Sequence, residues 1–410
     1  MKVKLPLQFK NANCLKFINK SFFIIKRLMW GAEMKIELTQ EQLDNKEIFR
    51  KYVDEEIIPY AEQNDRNEYM PPEMVKKLVE RGYLGSMIPK EYGGLGMDMI
   101  TLGILNEEVG RGCSSIRSLL TVHGMVALAI LRWGSKEQKE YWIPKMCTGE
   151  IIGAFGLTEP NVGSDAKSVE ATAVLEEDYY VLNGRKKWTT MGQIADIFVI
   201  FAKCEGKPTA FLLERNTPGF STKPIKGLLG ARASMIAELQ IENCRIHKNN
   251  IIGSVGTGLS HVALSCLDYG RYTVAWGCVG LAQACLEASV EYSRKRKQFG
   301  EPLRKNQLIQ KMITEMVVDI KAARLLCYQA GYLKDIGDPE TIMETWNAKY
   351  FAAKMVNKVA SDTVQIHGAN GCCRDYSAER YFRDARVNEI IEGTTQMHEV
   401  LIATNAFRNV

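Results

Sequence analysis

In the stretch NEIIEGTTQMHEV (388–400) one carboxylate, Glu392, stands between the apolar pair Ile390–Ile391 and Gly393, with the hydroxyls of Thr394 and Thr395 directly after it. Two branched apolar neighbours can strip water from a carboxylate, raise its pKa and make it a stronger base. The plain alternative is a solvated glutamate at a helix end. Upstream, GAFGLTEPNVGSDAKS (153–168) sets Thr158, Ser164 and Asp165 among glycines. Hydroxyls and free backbone N–H groups beside glycine suit a polar ring edge or a diphosphate; an Asn/Gly turn has the same composition. GRKKWTTMG (184–192) puts Trp188 before two hydroxyls at a strand end, where the indole either joins the core or walls off a flat aromatic ligand. Arg117, in GCSSIRSLLTVHG (112–124), lies in a predominantly apolar helix. A buried guanidinium is costly unless it meets an anion, either an internal acid or an external carboxylate held in its fork.

Other chemistries find little support. No G-x-G-x-x-G follows a predicted strand and no G-x-x-x-x-G-K-[ST] occurs, so any large cofactor must bind some other way, most simply in a cleft between domains. Five scattered histidines and eleven cysteines, none in a C-x-x-C pair, give no metal-ligand spacing, and none is expected. Scattered thiols fit a reducing compartment, so a cytoplasmic location is the default. The net charge of +5 is uneven: residues 1–32 hold seven Lys and Arg and no acid, leaving 46 basic against 48 acidic residues beyond them. The body is near neutral, which gives no reason to expect a nucleic-acid or membrane partner. The basic leader has no clean signal core and no run near the ~18 apolar residues of a membrane span. Residues 1–33 read as a disordered leader or a mis-assigned start, with Met34 opening an ordinary N-terminus.

These groups must be carried by three kinds of segment. Residues 34–152 have the helical period: Ile48, Tyr52, Val53 and Ile57 predict one buried stripe, and PPEMVKKLVERGYLG stops near Gly82. A more apolar stretch over 99–132 predicts buried helices. Over 153–262 the period changes to short β-rich runs, with a hairpin in SVEATAVLEEDYYVLNGRKKWTT. Over 263–410 the helical period returns, with one helix through Ile309, Met312, Met316 and Ile320 to the stop at Gly337–Pro339, and another from Glu340 to Gln365. Helices, strands, then helices, without βαβ alternation, give an α+β chain: a helical frame carrying a β insert.

With RKRKQFGEPLRKNQLIQ (294–310), QIHGANGCCRDYSAERYFRDARVNEIIEGTTQ (365–396) and PKEYGGLGMD (89–98), these runs resemble the acyl-CoA dehydrogenase family over nearly all of 35–410, in the family's order and spacing. Val162, Ala369 and Cys372 depart from the family's usual residues. The resemblance implies an N-terminal helical domain, a central β-barrel-like domain and a C-terminal four-helix bundle, with FAD extended between the β domain and the C-terminal helices. It implies Phe155, Leu157 and Thr158 at the flavin's polar edge, Ser164 near the diphosphate and thioester, Trp188 over the isoalloxazine and Thr190 near N5. Arg296, Phe299 and Gln307 would reach a neighbouring subunit's FAD, so the protein would be a homo-oligomer, usually a tetramer. Gln365 and Gly368 would meet the adenine–diphosphate part, and Thr394 and Gln396 would complete the pocket. Electrons would pass to an electron-transfer flavoprotein or to oxygen.

Under the same resemblance Glu392 is the base that takes the α-proton of an acyl thioester while the β-hydride leaves for flavin N5, with Arg271 and Gly393 beside the substrate. Some branches carry the base just before a helix arginine; here that position is Gly270. Arg117 with GRYTVAWG (270–277) and NQLIQKM (306–312) is similar to the glutaryl-CoA dehydrogenase branch, where an arginine holds the distal carboxylate. QIHGANGC is similar to dehydrogenases that make hydroxymalonyl units on acyl carrier proteins. Both imply a short carboxylated acyl group, on coenzyme A or on a carrier protein, and the carrier-protein substrate is the one expected here. A short-chain acyl-CoA dehydrogenase is a third possibility. The chain ends ATNAFRNV without the basic extension of DNA-binding relatives, so a non-catalytic binding role is not expected.

Overall fold

The computed structural model describes residues 37–409, and the leader assigned to 1–33 lies outside them. Six helices come first: α1 (Gln40–Glu56), α2 (Ile58–Asn67), α3 (Pro72–Glu80), α4 (Met99–Gly112), α5 (Ser114–Trp133) and α6 (Lys136–Cys147). Their ends follow local chemistry. Thr39 and Gln42 form a capping box at the start of α1, the Asp98 carboxylate caps α4, and Gly82 turns left-handed (φ +70°) just beyond α3. The buried face of α1 is Phe49, Tyr52 and Val53, with Ile57 after it, whereas Ile48 is 53% exposed. The predicted stripe holds at Tyr52, Val53 and Ile57 and fails only at Ile48, whose place Phe49 fills. The apolar run at 99–132 is two helices, broken where Cys113 takes an extended conformation, and both are buried along most of their length.

The middle segment is one eight-stranded sheet in the order β6-β7-β3-β2-β4-β5-β8, with β1 also beside β4. The strands are β1 (Gly153–Gly156), β2 (Thr172–Glu176), β3 (Tyr179–Thr189), β4 (Ile197–Cys204), β5 (Lys207–Glu214), β6 (Phe220–Pro224), β7 (Ala237–His247) and β8 (Ile251–Ile252). The expected hairpin is β2–β3, joined by Glu177–Asp178 with Glu177 left-handed at φ +57°. Pairing is antiparallel except that β1 and β2 both run parallel to β4.

A bundle closes the chain. Helix α7 (Leu264–Lys295) leads through a short hairpin, β9 (Lys297–Gln298) and β10 (Glu301–Pro302), into α8 (Gln307–Asp335). Then come α9 (Thr341–His367), α10 (Ala378–Val387) and α11 (Thr395–Asn409). Helices α7, α8, α9 and α11 form the four-helix bundle, with α11 packed on α9. Its core is Tyr272, Trp276 and Val279 of α7 against Met316, Ile320 and Ala323 of α8 and Ala352, Val356 and Val359 of α9. Truncating a side chain such as Trp276, which has no exposure, to alanine would cost about 3–5 kcal/mol.

Charged clasps hold α10 against the N-terminal helices: Arg380 to Glu62 at 2.9 Å and Arg383 to Asp65 at 2.7 Å. The Asp384 carboxylate accepts the Ala231 N–H at 2.6 Å. The Glu392 turn is thereby hung from a rigid frame. Two helical stretches, Ser114–Trp133 and Gly258–Lys295, are long and apolar enough to cross a membrane, but 94% and 72% of their apolar windows are buried within the protein.

Candidate active site

Glu392 sits in the turn between α10 and α11, with a left-handed backbone (φ +55°), and Gly393 follows at φ +92°. A glutamate in that region is strained, and such strain persists only where surroundings impose it. Here they do. Arg271 Nε donates to the Glu392 carbonyl at 3.1 Å, and Lys349 Nζ donates to the Gly393 carbonyl at 2.7 Å. Arg271 also lies over the Trp346 ring, 5.6 Å from its centroid.

The turn aims the carboxylate at α7. A Cβ added at Gly270 would stand 2.4 Å from Glu392 Oε2 and 2.7 Å from Cδ. Positions 270 and 392 thus compete for one space, and glycine at 270 is what lets a carboxylate arrive from 392. Oε2 is sealed from solvent without a hydrogen-bond partner. Burial raises the carboxyl pKa, against the opposing charges of Arg271, Lys349 and Arg117.

Two helical turns further along the same face of α7, Gly277 makes room for Arg117. A Cβ there would meet Arg117 Cδ at 2.5 Å and Nε at 2.8 Å. The guanidinium is buried (3% exposed), its Nη1 on Thr121 Oγ1 at 2.8 Å and its Nη2 on Ser118 Oγ at 3.2 Å. Among the described residues no carboxylate lies within ion-pair distance of it, and Glu392 and Asp384 act on it only through space. Burial lowers its pKa, as it does those of Arg271 and Lys349, the last to about 8. Three buried cations thus surround one buried carboxylate, and none forms a salt bridge with it.

The other predicted residues fall into two groups. Phe155, Leu157 and Thr158 lie on β1 and the turn after it, and Trp188 and Thr190 at the end of β3. These two places are bolted together by residues the sequence reading passed over. Lys186 and Glu159 form an ion pair at 2.5 Å with side chains 0% and 1% exposed, and the Lys187 N–H donates to the Thr158 carbonyl at 2.8 Å. Lys186 points inward in phase with Leu182 and Gly184, which was the readable signal. Ser164 is exposed in the loop beyond. In the second group Arg296 and Gln307 flank the β9–β10 hairpin and Phe299 sits in its turn, all exposed, and Gln365 and Gly368 lie at the exposed end of α9. Thr394 and Gln396 open α11; Thr394 accepts from the Met397 N–H. Lys349 was also missed, although it interrupts the alanine stripe Ala348, Ala352 and Ala353 on the buried face of α9.

Residues 39–150, 154–244 and 256–407 match the N-terminal, middle and C-terminal domains of acyl-CoA dehydrogenases. The chain belongs to the acyl-CoA dehydrogenase family and is an FAD-dependent acyl-thioester dehydrogenase. It is 39% identical over 382 residues to acryloyl-CoA reductase (NADH) of Anaerotignum propionicum, covering 92% of this chain and 96% of that one. Among solved structures, glutaryl-coenzyme A dehydrogenase in its glutaryl-CoA complex superposes with a TM-score of 0.88 at 36% identity, over 92% of this chain and 97% of that one. FkbI, described as serving biosynthesis of the methoxymalonyl extender unit of the Fk520 polyketide, superposes with a TM-score of 0.82 at 29% identity, over 89% of this chain and 100% of that one.

The residues present suit FAD. Trp188 is half exposed on a left-handed backbone (φ +61°), and Met191 repeats that conformation at φ +60°. Between them Thr189 Oγ1 is buried without a partner. Gly368 takes φ +61°, ψ −140°, which only glycine adopts readily, with nothing within 4 Å of a Cβ built there. A presented indole, orphaned polar atoms and an open glycine backbone are what a flat ring system and a diphosphate require.

Proposed function

We propose that this enzyme dehydrogenates a short acyl-CoA thioester whose far end carries a carboxylate, with Glu392 as the α-proton base and Arg117 as the clamp for that carboxylate. The observation that carries this reading is Arg117 itself, a buried guanidinium with no acidic partner among the described residues. A desolvated cation of that kind is destabilising until an anion meets it. FAD, when bound, supplies the hydride acceptor for the β-carbon. The protein's share is to hold an ionisable carboxylate dry and aimed, and to fix the acyl group between two charges.

The likeness to glutaryl-coenzyme A dehydrogenase at 36% identity favours a five-carbon dicarboxylic acyl group. A three-carbon hydroxymalonyl-type unit on a carrier protein is the second reading, favoured by the likeness to FkbI. Arg296, Phe299 and Gln307 are proposed to reach the FAD of a neighbouring subunit in a homotetramer; Phe299 stands fully exposed.

The test is flavin bleaching by glutaryl-CoA, butyryl-CoA and a glyceryl carrier-protein thioester, with wild type and Arg117→Met. Glutaryl-CoA should reduce the flavin with a kcat/KM at least about tenfold above butyryl-CoA, the worth of one charged contact, and Arg117→Met should erase that advantage. Equal rates with butyryl-CoA would refute the clamp. Fast reduction by the carrier-protein thioester alone would decide for the second reading.

A further inference from the structure

Between the Glu392 end and the Arg117 end of the site runs a chain of hydrogen bonds whose two ends are fixed as donor and acceptor. A guanidinium only donates and a backbone carbonyl only accepts. Arg117 Nη1 donates to Thr121 Oγ1 at 2.8 Å. Thr121 Oγ1 lies 2.9 Å from Thr273 Oγ1. The Thr273 hydroxyl lies 3.0 Å from the Gly270 carbonyl and 3.2 Å from that of Tyr269. With the Thr273 proton given to the backbone of α7, Thr121 donates to Thr273. The Thr121 oxygen is left as a pure acceptor facing Arg117. The other arm repeats the device: Nη2 rests on Ser118 Oγ at 3.2 Å, whose proton goes to the Ser114 carbonyl at 2.9 Å. Both threonines are buried, 3% and 0% exposed, so water does not compete for these bonds.

The result is a guanidinium held by two acceptors whose own protons are already committed. Three of its five N–H groups have no partner among the described residues. A free arginine side chain samples many rotamers, and holding it beforehand lowers the ordering cost of binding. We propose that Thr121 and Thr273 are positioning residues that set the enzyme's selectivity for carboxylated acyl groups, by presetting Arg117 with its free N–H groups toward the substrate. Thr273 acts without touching Arg117, through the Thr121 hydroxyl. The proposal rests on the assignment of Arg117 as the carboxylate clamp.

The test compares glutaryl-CoA with butyryl-CoA on flavin-loaded wild type, Thr121→Val, Thr273→Val, Thr121→Ser and Arg117→Met, reading the ratio of the two kcat/KM values. Valine keeps the volume and removes the hydroxyl; serine keeps the hydroxyl. Thr121→Val should cut the ratio about tenfold, as expected for one lost hydrogen bond to a charged group, with the loss in KM for glutaryl-CoA. Thr273→Val should cut it about threefold, and Thr121→Ser should restore it. Bound flavin reports that each variant is folded. A role in packing alone would change stability and leave the ratio where it was. If both valine variants keep the wild-type ratio while Arg117→Met loses it, the relay is overturned and the clamp stands. If wild type itself shows no preference, both fall.

Discussion

Gly270→Ala would put one methyl group where the Glu392 carboxylate now rests. The added Cβ would lie 2.4 Å from Oε2, and ordinary contact begins at 3.4 Å, so the carboxylate must retreat by about 1 Å. Its backbone has little room to follow. Glu392 and Gly393 are already left-handed at φ +55° and +92°, and Arg271 and Lys349 hold their carbonyls. The side chain must swing instead, away from the place where an α-proton would be taken. A misplacement of about 1 Å costs on the order of 10²-fold in rate, or ~2.7 kcal/mol in the barrier. The same substitution inside a helix ordinarily stabilises by about 0.5–1 kcal/mol. Activity and helix propensity are therefore pushed in opposite directions, which separates a local defect at the base from general damage. The assay is stopped-flow bleaching of the flavin at saturating acyl thioester, with flavin content and Tm measured on the same samples. Reduction at the wild-type rate, with flavin fully bound, would mean that the group packed on Gly270 is not the one that reacts.

Three further outcomes are expected. Glu392→Gln should keep flavin and abolish its reduction by substrate, as absorbance would show. Because burial raises the Glu392 pKa, its contribution to stability is present below the unfolded carboxyl pKa and lost as pH rises through the folded one. The glutamine variant should therefore have a higher Tm than wild type at neutral pH, and a lower Tm would contradict the buried-charge account. Lys349→Met removes a positive charge that lowers the Glu392 pKa; the acid limb of the reductive half-reaction should move to higher pH, and an unmoved limb in the pH–rate profile would discount that coupling. Lys186→Met leaves the Glu159 carboxylate, whose side chain is 1% exposed, without a counter-charge and with only the N–H groups of Glu170 and Ala171 to hold it. It should destabilise by about 3–5 kcal/mol in urea, and adding Glu159→Gln should cost little more, since the pair shares one interaction.

What could be read from the sequence was what periodicity and local chemistry encode. The hairpin β2–β3, the stop after α8 and the buried pair α4–α5 follow from alternation, Gly-Asp-Pro and a density of apolar and small residues. Glu392 and Arg117 stood out because each is a charge in an apolar setting. The opposition of Gly270 to Glu392 was legible only as two family positions for one role; that they compete for one space needed the fold, because 122 residues separate them in the chain. Lys349 and Lys186 drew no reading in sequence, although each is in phase with buried neighbours, Ala352 and Ala353 on α9 and Leu182 on β3, because a lysine is ordinarily exposed and only the fold shows these two enclosed. On α1, Phe49 and Ile48 are adjacent apolar residues, and the sequence does not show which of them turns inward. Thr121 and Thr273 carry no signal at all in sequence: a threonine on a buried helix face usually bonds back to its own helix, and only the 2.9 Å approach of α5 to α7 links the two.

The site is built from elements that each oppose folding. A sealed carboxylate with an orphan oxygen, a glutamate at positive φ and a guanidinium without an acid all raise the energy of the empty protein. They persist because α7 and α9, through Arg271 and Lys349, and the clasped α10 hold both sides of the turn and over-determine its shape. Such stored cost is returned only to a ligand that supplies what is missing, an anion for Arg117 and an acidic proton for Glu392. A thioester with a neutral tail supplies one and not the other. If Arg117 is the carboxylate clamp proposed here, discrimination between acyl groups arises less from the volume of the acyl site than from leaving a buried charge unpaired, a penalty that can reach several kcal/mol where a misfitting methylene costs about 1–3.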